Sequence, residues 1–262
     1  MSDVPLRGLP ALRVAEREAR VWRRFWHTSV LTGVLVPLLF VGAMGGGLGG
    51  LIDESRGTVD GVSYLVFVTP GILAATALQS ATGSSLWPIM GGLKWTRTFH
   101  AAAATPVSPG EVYLGYLFWT GARLALNAVL FVLVAAALGA VPSPWGVLAV
   151  PGAVLGGLAF AAPLCAYSAA QDTDLSFAVI FRLVVMPMFL FSGSFFPVSQ
   201  LPDWAEPLAK ALPLYHAVEL CRGATTGTLG ALPGLAHTAV LVAYIAAGAF
   251  VGMRIFTAKL AA

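Results

Sequence analysis

Long runs of hydrophobic residues, separated by short polar segments, dominate the chain. Six of these runs are long enough to form helices across the hydrocarbon core of a bilayer, which takes about 20 apolar residues. The pattern therefore predicts an all-α integral membrane protein with six transmembrane helices. The predicted spans cover residues 29–51, 62–90, 111–138, 146–169, 175–196 and 233–256.

The first 27 residues are polar and basic, and they predict an amphipathic cytoplasmic helix before the first span. Apolar positions recur at helical spacing on one side, and arginines recur on nearly the opposite side. The apolar side holds Leu12, Ala15, Ala19, Trp22 and Trp26, and the basic side holds Arg13, Arg17, Arg20 and Arg24. Such a helix is suited to the membrane surface; a solvated leader is the alternative. A secretory signal is disfavoured because the following apolar run is too long for one.

Polar connections are predicted between the first three spans. Residues 52–61 form a polar loop, and the second span closes at Gly91-Gly92. Residues 93–110 form a cytoplasmic connection in which Trp95, Phe99 and the alanines that follow can make a short helix.

Two helix starts carry recognisable capping residues. Ser108, Pro109 and Glu111 have the spacing of an N-cap, a first helical position and a third helical position. Farther along, Asp172 or Asp174 can cap the fifth span. Both sites predict that the chain re-enters the membrane directly after a short inner loop.

Residues 186–223 predict a broken re-entrant hairpin between spans five and six. The segment is interrupted by four prolines, each of which removes a backbone donor and fixes φ. They are Pro197, Pro202, Pro207 and Pro213. The short amphipathic pieces between them cover residues 203–212 and 213–222, with Asp203 as a start signal and Gly223 as a stop. Neither piece is long enough to span a bilayer.

The placement of lysine and arginine predicts the orientation. With both termini in the cytoplasm, the inner segments hold ten basic residues and the outer segments hold three. The inner ten include Lys94, Arg97, Arg254 and Lys259, and the outer three are Arg56, Lys210 and Arg222. Because short cytoplasmic loops are enriched in these residues, we expect a multi-pass protein of the cell (inner) membrane.

Composition agrees with a lipid environment. The 262 residues are 58% hydrophobic and 10% charged, whereas a soluble domain is about a quarter charged. The net charge of +3 is too small to indicate a nucleic-acid partner. The two cysteines, Cys165 and Cys221, have neither disulfide nor metal spacing and are expected to be buried apolar residues.

Catalytic patterns are absent from the sequence. It contains no phosphate-binding G-x-x-x-x-G-K-[ST] loop, no H-E-x-x-H and no G-x-S-x-G. The four histidines have no metal-ligand spacing. We therefore predict no catalytic residue, no metal site and no cofactor bound by this chain.

Two arginines fall inside predicted spans, where a charge costs at least about 2.5 kcal/mol and usually faces a partner or a wet cavity. Arg182 is close enough to the start of its span to reach Asp172 or Asp174. Arg123 lies deeper. An internal carboxylate such as Glu219 is the favoured partner for it, and an anionic substrate headgroup is the alternative.

Three polar residues cluster in the hairpin. His216 and Glu219 are three positions apart and predict a structural hydrogen bond. Glu219 and Arg222 have the same spacing and can form an ion pair. Together with Arg123 and Arg182, these residues are candidates for the translocation path or for structural ion pairs.

The hairpin also resembles a known family. The resemblance is carried by Phe191-Ser192-Gly193-Ser194-Phe195-Phe196-Pro197, by Leu201-Pro202, and by Leu212-Pro213-Leu214-Tyr215-His216-Ala217-Val218-Glu219-Leu220 with Arg222-Gly223. These runs are similar to the permease subunits of type-2 ABC exporters, most of all the lipo-oligosaccharide (nodulation-factor type) export permeases. Drug-export permeases are the neighbouring branch.

The resemblance implies a permease without its own ATP site. ATP and Mg²⁺ would be bound by two copies of a partner ATPase, and a second permease copy or close relative would complete a dimer in the membrane lipid. The loop between spans two and three would dock the ATPase. Its candidate residues are Lys94, Trp95, Arg97, Phe99, Thr105, Pro106, Ser108 and Glu111.

Three alternatives remain open from the residues alone. They are an ion-coupled secondary transporter, a membrane-embedded lipid-modifying enzyme and a non-transporting scaffold. The scarcity of buried acids leaves little material for an ion relay, and an enzyme would need His216, Glu219 or Asp203 for chemistry.

Overall fold

The computed structural model describes residues 10–24, 26–27 and 31–261, and this part of the chain is helical with no β-strand. The helices, in chain order, are α1 Pro10–Trp22, α2 31–56, α3 Tyr64–Trp95, α4 Thr98–Ala103, α5 Pro109–Ala137, α6 Pro144–Ala170, α7 Leu175–Phe191, α8 Ala205–Ala211, α9 Pro213–Thr226 and α10 Ala231–Leu260. The predicted start of the first span, at residue 29, lies outside the described residues. The all-α prediction is confirmed.

Four helices in the described ranges, α3, α5, α6 and α10, are long and apolar enough to cross a bilayer. The other two predicted spans correspond to shorter apolar helices. The apolar part of α2 is Pro37–Leu51, and α7 covers Leu175–Phe191. The protein is therefore built around four membrane-capable helices, and a total of six spans stays a prediction.

Two predicted boundaries near the second span were wrong. The polar loop expected over 52–61 is helical as far as Arg56. The second span does not close at Gly91-Gly92, because α3 passes through a π-helical turn there and ends at Trp95. Glycine is usually a helix breaker, but the buried Gly91 and Gly92 let this turn pack closely against neighbouring side chains.

The end of α7 also differs from the prediction. The fifth span was expected to reach residue 196, yet α7 ends at Phe191 and the chain turns at Gly193, whose φ is +84°. At the other end, Asp174 occupies the N-cap position without capping the helix by its side chain. Its carboxylate instead accepts a hydrogen bond of 3.2 Å from Trp87 Nε1.

The hairpin pieces exist, but their predicted start and stop signals were wrong. The helix α8 begins after Trp204, and Asp203 does not cap it. The helix α9 continues past Gly223 to Thr226 and ends at Gly227, which has a left-handed φ of +77°. The prolines at 202 and 213 do interrupt the chain as expected.

The centre of the bundle is α6, which packs against α3, α5, α9 and α10. Small residues on α6 make these approaches possible. A Cβ atom built on Gly156 would overlap the Ala217 methyl group of α9. Close backbone approach of this kind is how helices associate in lipid, where no hydrophobic driving force draws them together.

The connections gather at two opposite ends of the bundle. One end, here the basic end, holds α4, the loop 171–174 and the last turns of α10, which meet where Lys94 and Lys259 approach Asp172. The other, the hairpin end, joins the start of α3 to the hairpin through a 3.3 Å hydrogen bond from Tyr64 Oη to the Phe195 carbonyl. The 32 residues of α3 connect the two ends over about 48 Å.

Candidate functional site

A capping box fixes the start of α5 at the basic end, as the sequence predicted. The backbone N–H of Ser108 donates to a Glu111 carboxylate oxygen at 2.8 Å, and the N–H of Glu111 donates to Ser108 Oγ at 3.3 Å. Pro109 occupies the first position, where no backbone donor is needed. The capping box thereby fixes the point at which the loop 104–108 ends and α5 begins.

An ion-pair cluster joins three segments beside that loop. Lys94 Nζ lies 2.9 Å from Asp172 Oδ1 and 2.8 Å from the Asp172 carbonyl oxygen, and Lys259 Nζ lies 3.7 Å from the same carboxylate. The hydrogen bond from Lys94, helped by the charge of Lys259, holds the pKa of Asp172 below its ordinary value. The cluster therefore ties the end of α3 to the loop 171–174 and to the end of α10.

The predicted docking residues divide into exposed and buried ones. Trp95 is 62% exposed, whereas Phe99 is 2% exposed. The Phe99 ring packs among aromatic side chains from α5 and α10, with centroids 5.7 Å from Tyr116 and 5.5 Å from Phe256. Phe99 therefore packs underneath the exposed loop residues and is not itself available to a partner protein. The exposed members of the set are Trp95, Arg97, Thr105, Pro106 and Ser108.

The N-terminal helix α1 packs against α5. Its buried face is centred on Val14 and Ala15, whereas Leu12, expected on the apolar face, is 44% exposed. Arg17, expected on the basic face, donates from Nη1 to the Thr98 carbonyl at 3.1 Å. The amphipathic helix is confirmed, but its inner face is centred on Val14 and Ala15 and brings Arg17 into contact with α4.

A crevice of about 550 Å³ opens between α1, α3 and α5, and Arg123 is part of its lining. The Arg123 guanidinium donates to Ser84 Oγ on α3. Pairing with Glu219 was the wrong expectation, because Glu219 belongs to the hairpin and has another partner. Among the described residues, Arg123 forms no ion pair with a carboxylate.

Arg182 also lacks the partners predicted for it. It is exposed on α7, and neither aspartate of the 171–174 loop pairs with it. Asp172 binds the two lysines and Asp174 binds Trp87. The loop side chains are thus already satisfied by groups from α3 and α10.

Arg222 holds the hairpin together. Its Nη1 donates to Glu219 Oε1 at 3.0 Å, as the spacing predicted, and its Nη2 donates to the Gly193 carbonyl at 2.6 Å. The guanidinium also lies 4.1 Å from the Phe67 ring centroid, a cation–π contact with α3. Arg222 therefore joins α9, the 192–197 turn and α3.

His216 pairs with a second histidine and not with Glu219. Its Nδ1 lies 2.8 Å from Nδ1 of His237, 21 residues away on α10. One ring must donate and the other accept, so the pair holds at least one neutral imidazole. The predicted His216–Glu219 bond was wrong because Arg222 occupies the glutamate.

Sequence reasoning missed several residues that complete these sites. Asp172 was predicted as a helix cap, yet it is the shared anion of the lysine cluster. His237 carried no signal, because its partner lies on another helix. Within the described ranges, no group of three or more His, Cys, Asp or Glu side chains could hold a metal ion.

These features define an integral membrane protein with an exposed loop surface at one end and a braced helical hairpin at the other. A family model described as "ABC-2 type transporter" matches residues 14–225, and the chain belongs to this family. It is therefore a transport permease subunit of an ABC exporter and not an enzyme, and the family works with an ABC ATPase partner.

Curated relatives extend the similarity to nearly the whole chain. Nodulation protein J of Rhizobium meliloti is 30% identical over 260 residues, which are 99% of this chain and 97% of the relative. Nodulation protein J of Bradyrhizobium diazoefficiens is 30% identical over 259 residues, with the same coverage. That of Rhizobium leguminosarum bv. viciae is 32% identical over 247 residues, covering 94% and 93%.

Proposed function

We propose that this permease exports a lipid-linked oligosaccharide or a similar amphipathic compound across the cell (inner) membrane. The support is the resemblance of its hairpin to lipo-oligosaccharide export permeases, together with the relatives named Nodulation protein J. ATP and Mg²⁺ would be bound by two partner ATPase subunits, and a second permease copy would complete the path for the substrate.

The basic end is assigned to the cytoplasm in this proposal. Lys94, Lys259 and the arginines of α1 all lie at this end, and short cytoplasmic segments are enriched in such residues. Both termini are then cytoplasmic. The broken hairpin faces outward, where Glu219, Arg222 and the histidine pair brace the exit side.

The ATPase is proposed to dock on the exposed residues beside the capping box. The observation that carries this assignment is Trp95, a large aromatic side chain that is 62% exposed at the end of α3, at the start of the connection that leads to the capping box. Exposed aromatic residues on a firm support are typical anchors of protein interfaces. Arg97, Thr105 and Pro106 extend the same surface.

Reconstitution tests the proposal. Vesicles holding the permease and its ATPase should accumulate a fluorescent lipid-linked oligosaccharide only with hydrolysable ATP. Transport by the permease alone, or transport driven by a proton or sodium gradient without ATP, would contradict it. Cysteine labelling at Thr105 should occur from the cytoplasmic side; labelling from outside would overturn the orientation.

A docking variant separates coupling from folding. Trp95→Ala should lower substrate-stimulated ATP hydrolysis at least several-fold while thermal unfolding stays unchanged, because this side chain is mostly exposed. Trp145→Ala is a matched control, since Trp145 is 63% exposed at the hairpin end. Equal rates of ATP hydrolysis in both variants and in the natural protein would contradict a role of Trp95 in the interface.

A further inference from the structure

The crevice beside Arg123 has a mixed lining, more apolar than polar, between helices of a membrane protein. Alongside the rings of Tyr116 and Trp119, its polar side chains from α3 and α5 are Gln79, Ser80, Ser84, Thr120, Arg123 and Asn127. Ionisable and strongly polar residues inside a membrane domain are costly and mark binding sites or pathways. Its volume of about 550 Å³ falls in the range of small-ligand sites.

The crevice lies near one membrane surface. At its mouth, the Trp22 ring of α1 meets the Trp119 ring of α5 edge to face, with centroids 5.9 Å apart. Tryptophan favours the headgroup level of a bilayer. From Trp119 to the end of α5 at Ala137 the helix rises about 27 Å, close to the thickness of the hydrocarbon core. Arg123 is one turn below Trp119, about 6 Å deeper.

Among the described residues, the lining holds one cation, Arg123, and one anion, Glu18. Glu18 also lines the crevice, but its carboxylate forms an ion pair with Arg17. Arg123 contacts the hydroxyl of Ser84 and forms no ion pair with a described carboxylate. A guanidinium at this depth favours an anionic partner that can accept two parallel hydrogen bonds.

Two lining residues add polar atoms without partners. The indole Nε1 of Trp22 and Oδ1 of Asn127 are buried and form no hydrogen bond. Asn127 as a whole is 9% exposed. A buried polar atom without a partner is costly, and a rotation of either side chain toward the crevice would give it a partner in a polar guest.

We infer that this crevice binds the phosphate headgroup of an anionic membrane phospholipid from the leaflet at the basic end. Arg123 pairs with the phosphate oxygens, the Trp22 indole turns toward the crevice to donate to them, and the acyl chains extend into the bilayer. The site goes beyond the proposed export function, since it needs neither cargo nor ATPase.

Native mass spectrometry of the full permease in detergent tests this site. Phosphatidylglycerol should remain bound to the natural protein, whereas diacylglycerol, which lacks the phosphate, should not. Arg123→Gln should weaken phosphatidylglycerol binding at least tenfold. Arg254→Gln is the matched control, because Arg254 is an exposed arginine near the same end of the protein and lies over Phe250, outside the crevice. This variant should bind phosphatidylglycerol as tightly as the natural protein does.

A photoreactive phosphatidylglycerol with its reactive group in the headgroup locates the lipid. Crosslinks should appear in peptides covering residues 79–88 and 116–127, and Arg123→Gln should abolish them. Crosslinks elsewhere, or equal binding by the Arg123→Gln and natural proteins, would overturn the inference. Displacement by inorganic phosphate at the same concentration would also overturn it, because the free anion would then suffice.

Two milder variants keep the inference falsifiable should Arg123→Gln fail to fold. Arg123→Lys keeps the charge but loses the planar fork, and Trp22→Phe loses only the indole donor. Each should weaken phosphatidylglycerol binding about threefold. Natural affinity in both variants would contradict the site. Because no ATPase is present, a negative result here is independent of the export proposal.

Discussion

The Lys94 ammonium of α3 lies 2.9 Å from the Asp172 carboxylate, although 78 residues separate the two in sequence. Asp172 precedes α7 and also receives Lys259 from the end of α10. One carboxylate thus gathers the ends of three helices at the basic end. Its partner Lys94 directly precedes Trp95, the residue on which the proposed ATPase surface depends.

The first prediction concerns this carboxylate. Asp172→Asn should lower coupled ATP hydrolysis without lowering expression, because it releases Lys94 and Lys259 and frees the loop they hold. Exposed ion pairs contribute little to stability, so thermal unfolding in detergent should hardly change. Asp174→Asn is the control, and equal hydrolysis by the two variants would contradict a coupling role.

The ionisation of Asp172 gives the second prediction. Its pKa is lowered in the folded protein, mainly by the hydrogen bond from Lys94. A lowered carboxyl pKa means that the stabilising contact is present at neutral pH and is lost only as pH falls through the folded value, below 3.8. Between pH 6 and 8, the fraction of molecules with a short distance between spin labels attached at residues 95 and 173 should therefore be constant. A steady decline across that range would assign the contact to another group.

The third prediction concerns the start of α5. Ser108→Ala removes the acceptor for the Glu111 N–H and should lower the free energy of unfolding by about 1 kcal/mol. Ser108→Thr keeps the hydroxyl and should restore most of that loss. If chemical denaturation gives the same stability for both variants, the capping box does not stabilise this helix start.

A fourth prediction concerns the contact between α6 and α9. Gly156→Ala adds a methyl group that overlaps Ala217, and overpacking of this kind costs about 1–3 kcal/mol. The double variant Gly156→Ala with Ala217→Gly should recover most of the stability, since it exchanges the two small residues. Gly46→Ala is the control, because nothing lies within 4 Å of a Cβ atom there.

The fifth prediction concerns Arg222. Arg222→Lys keeps the charge but cannot contact Glu219, the Gly193 carbonyl and the Phe67 face together, so stability should fall by about 2 kcal/mol. Arg254→Lys is the comparison, since Arg254 also lies over an aromatic ring, 4.3 Å from the Phe250 centroid, but on an exposed surface. Equal loss in the two variants would show that cation–π contact alone, and not the three-way junction, matters.

Much of the helical architecture could be predicted because the signals are local. Long apolar runs specify helices in lipid, and the Ser108–Glu111 spacing specifies a cap within four residues. The Arg222–Glu219 pair was predictable for the same reason, since residues one turn apart share a helix face.

What could not be predicted depends on contacts between distant segments. Gly223 resembles a helix stop, yet the left-handed turn that ends the helix falls at Gly227. Leu229, beyond that turn, packs over Gly223 and donates its N–H to the Gly223 carbonyl at 3.0 Å, which closes the helix end. His216 has a carboxylate one turn away, but the nearest available ring belongs to α10. Neither of these two contacts can be predicted from the spacing of residues along the chain.

The interlocked rings of Phe99, Tyr113, Tyr116 and Phe256 have a mechanical consequence. Phe99 is buried, and its ring contacts Tyr116 of α5 and Phe256 of α10. A displacement imposed on the short α4 would therefore press on both of these long helices. A movement of the loop at the basic end would thus be transmitted to helices that are long enough to cross the bilayer.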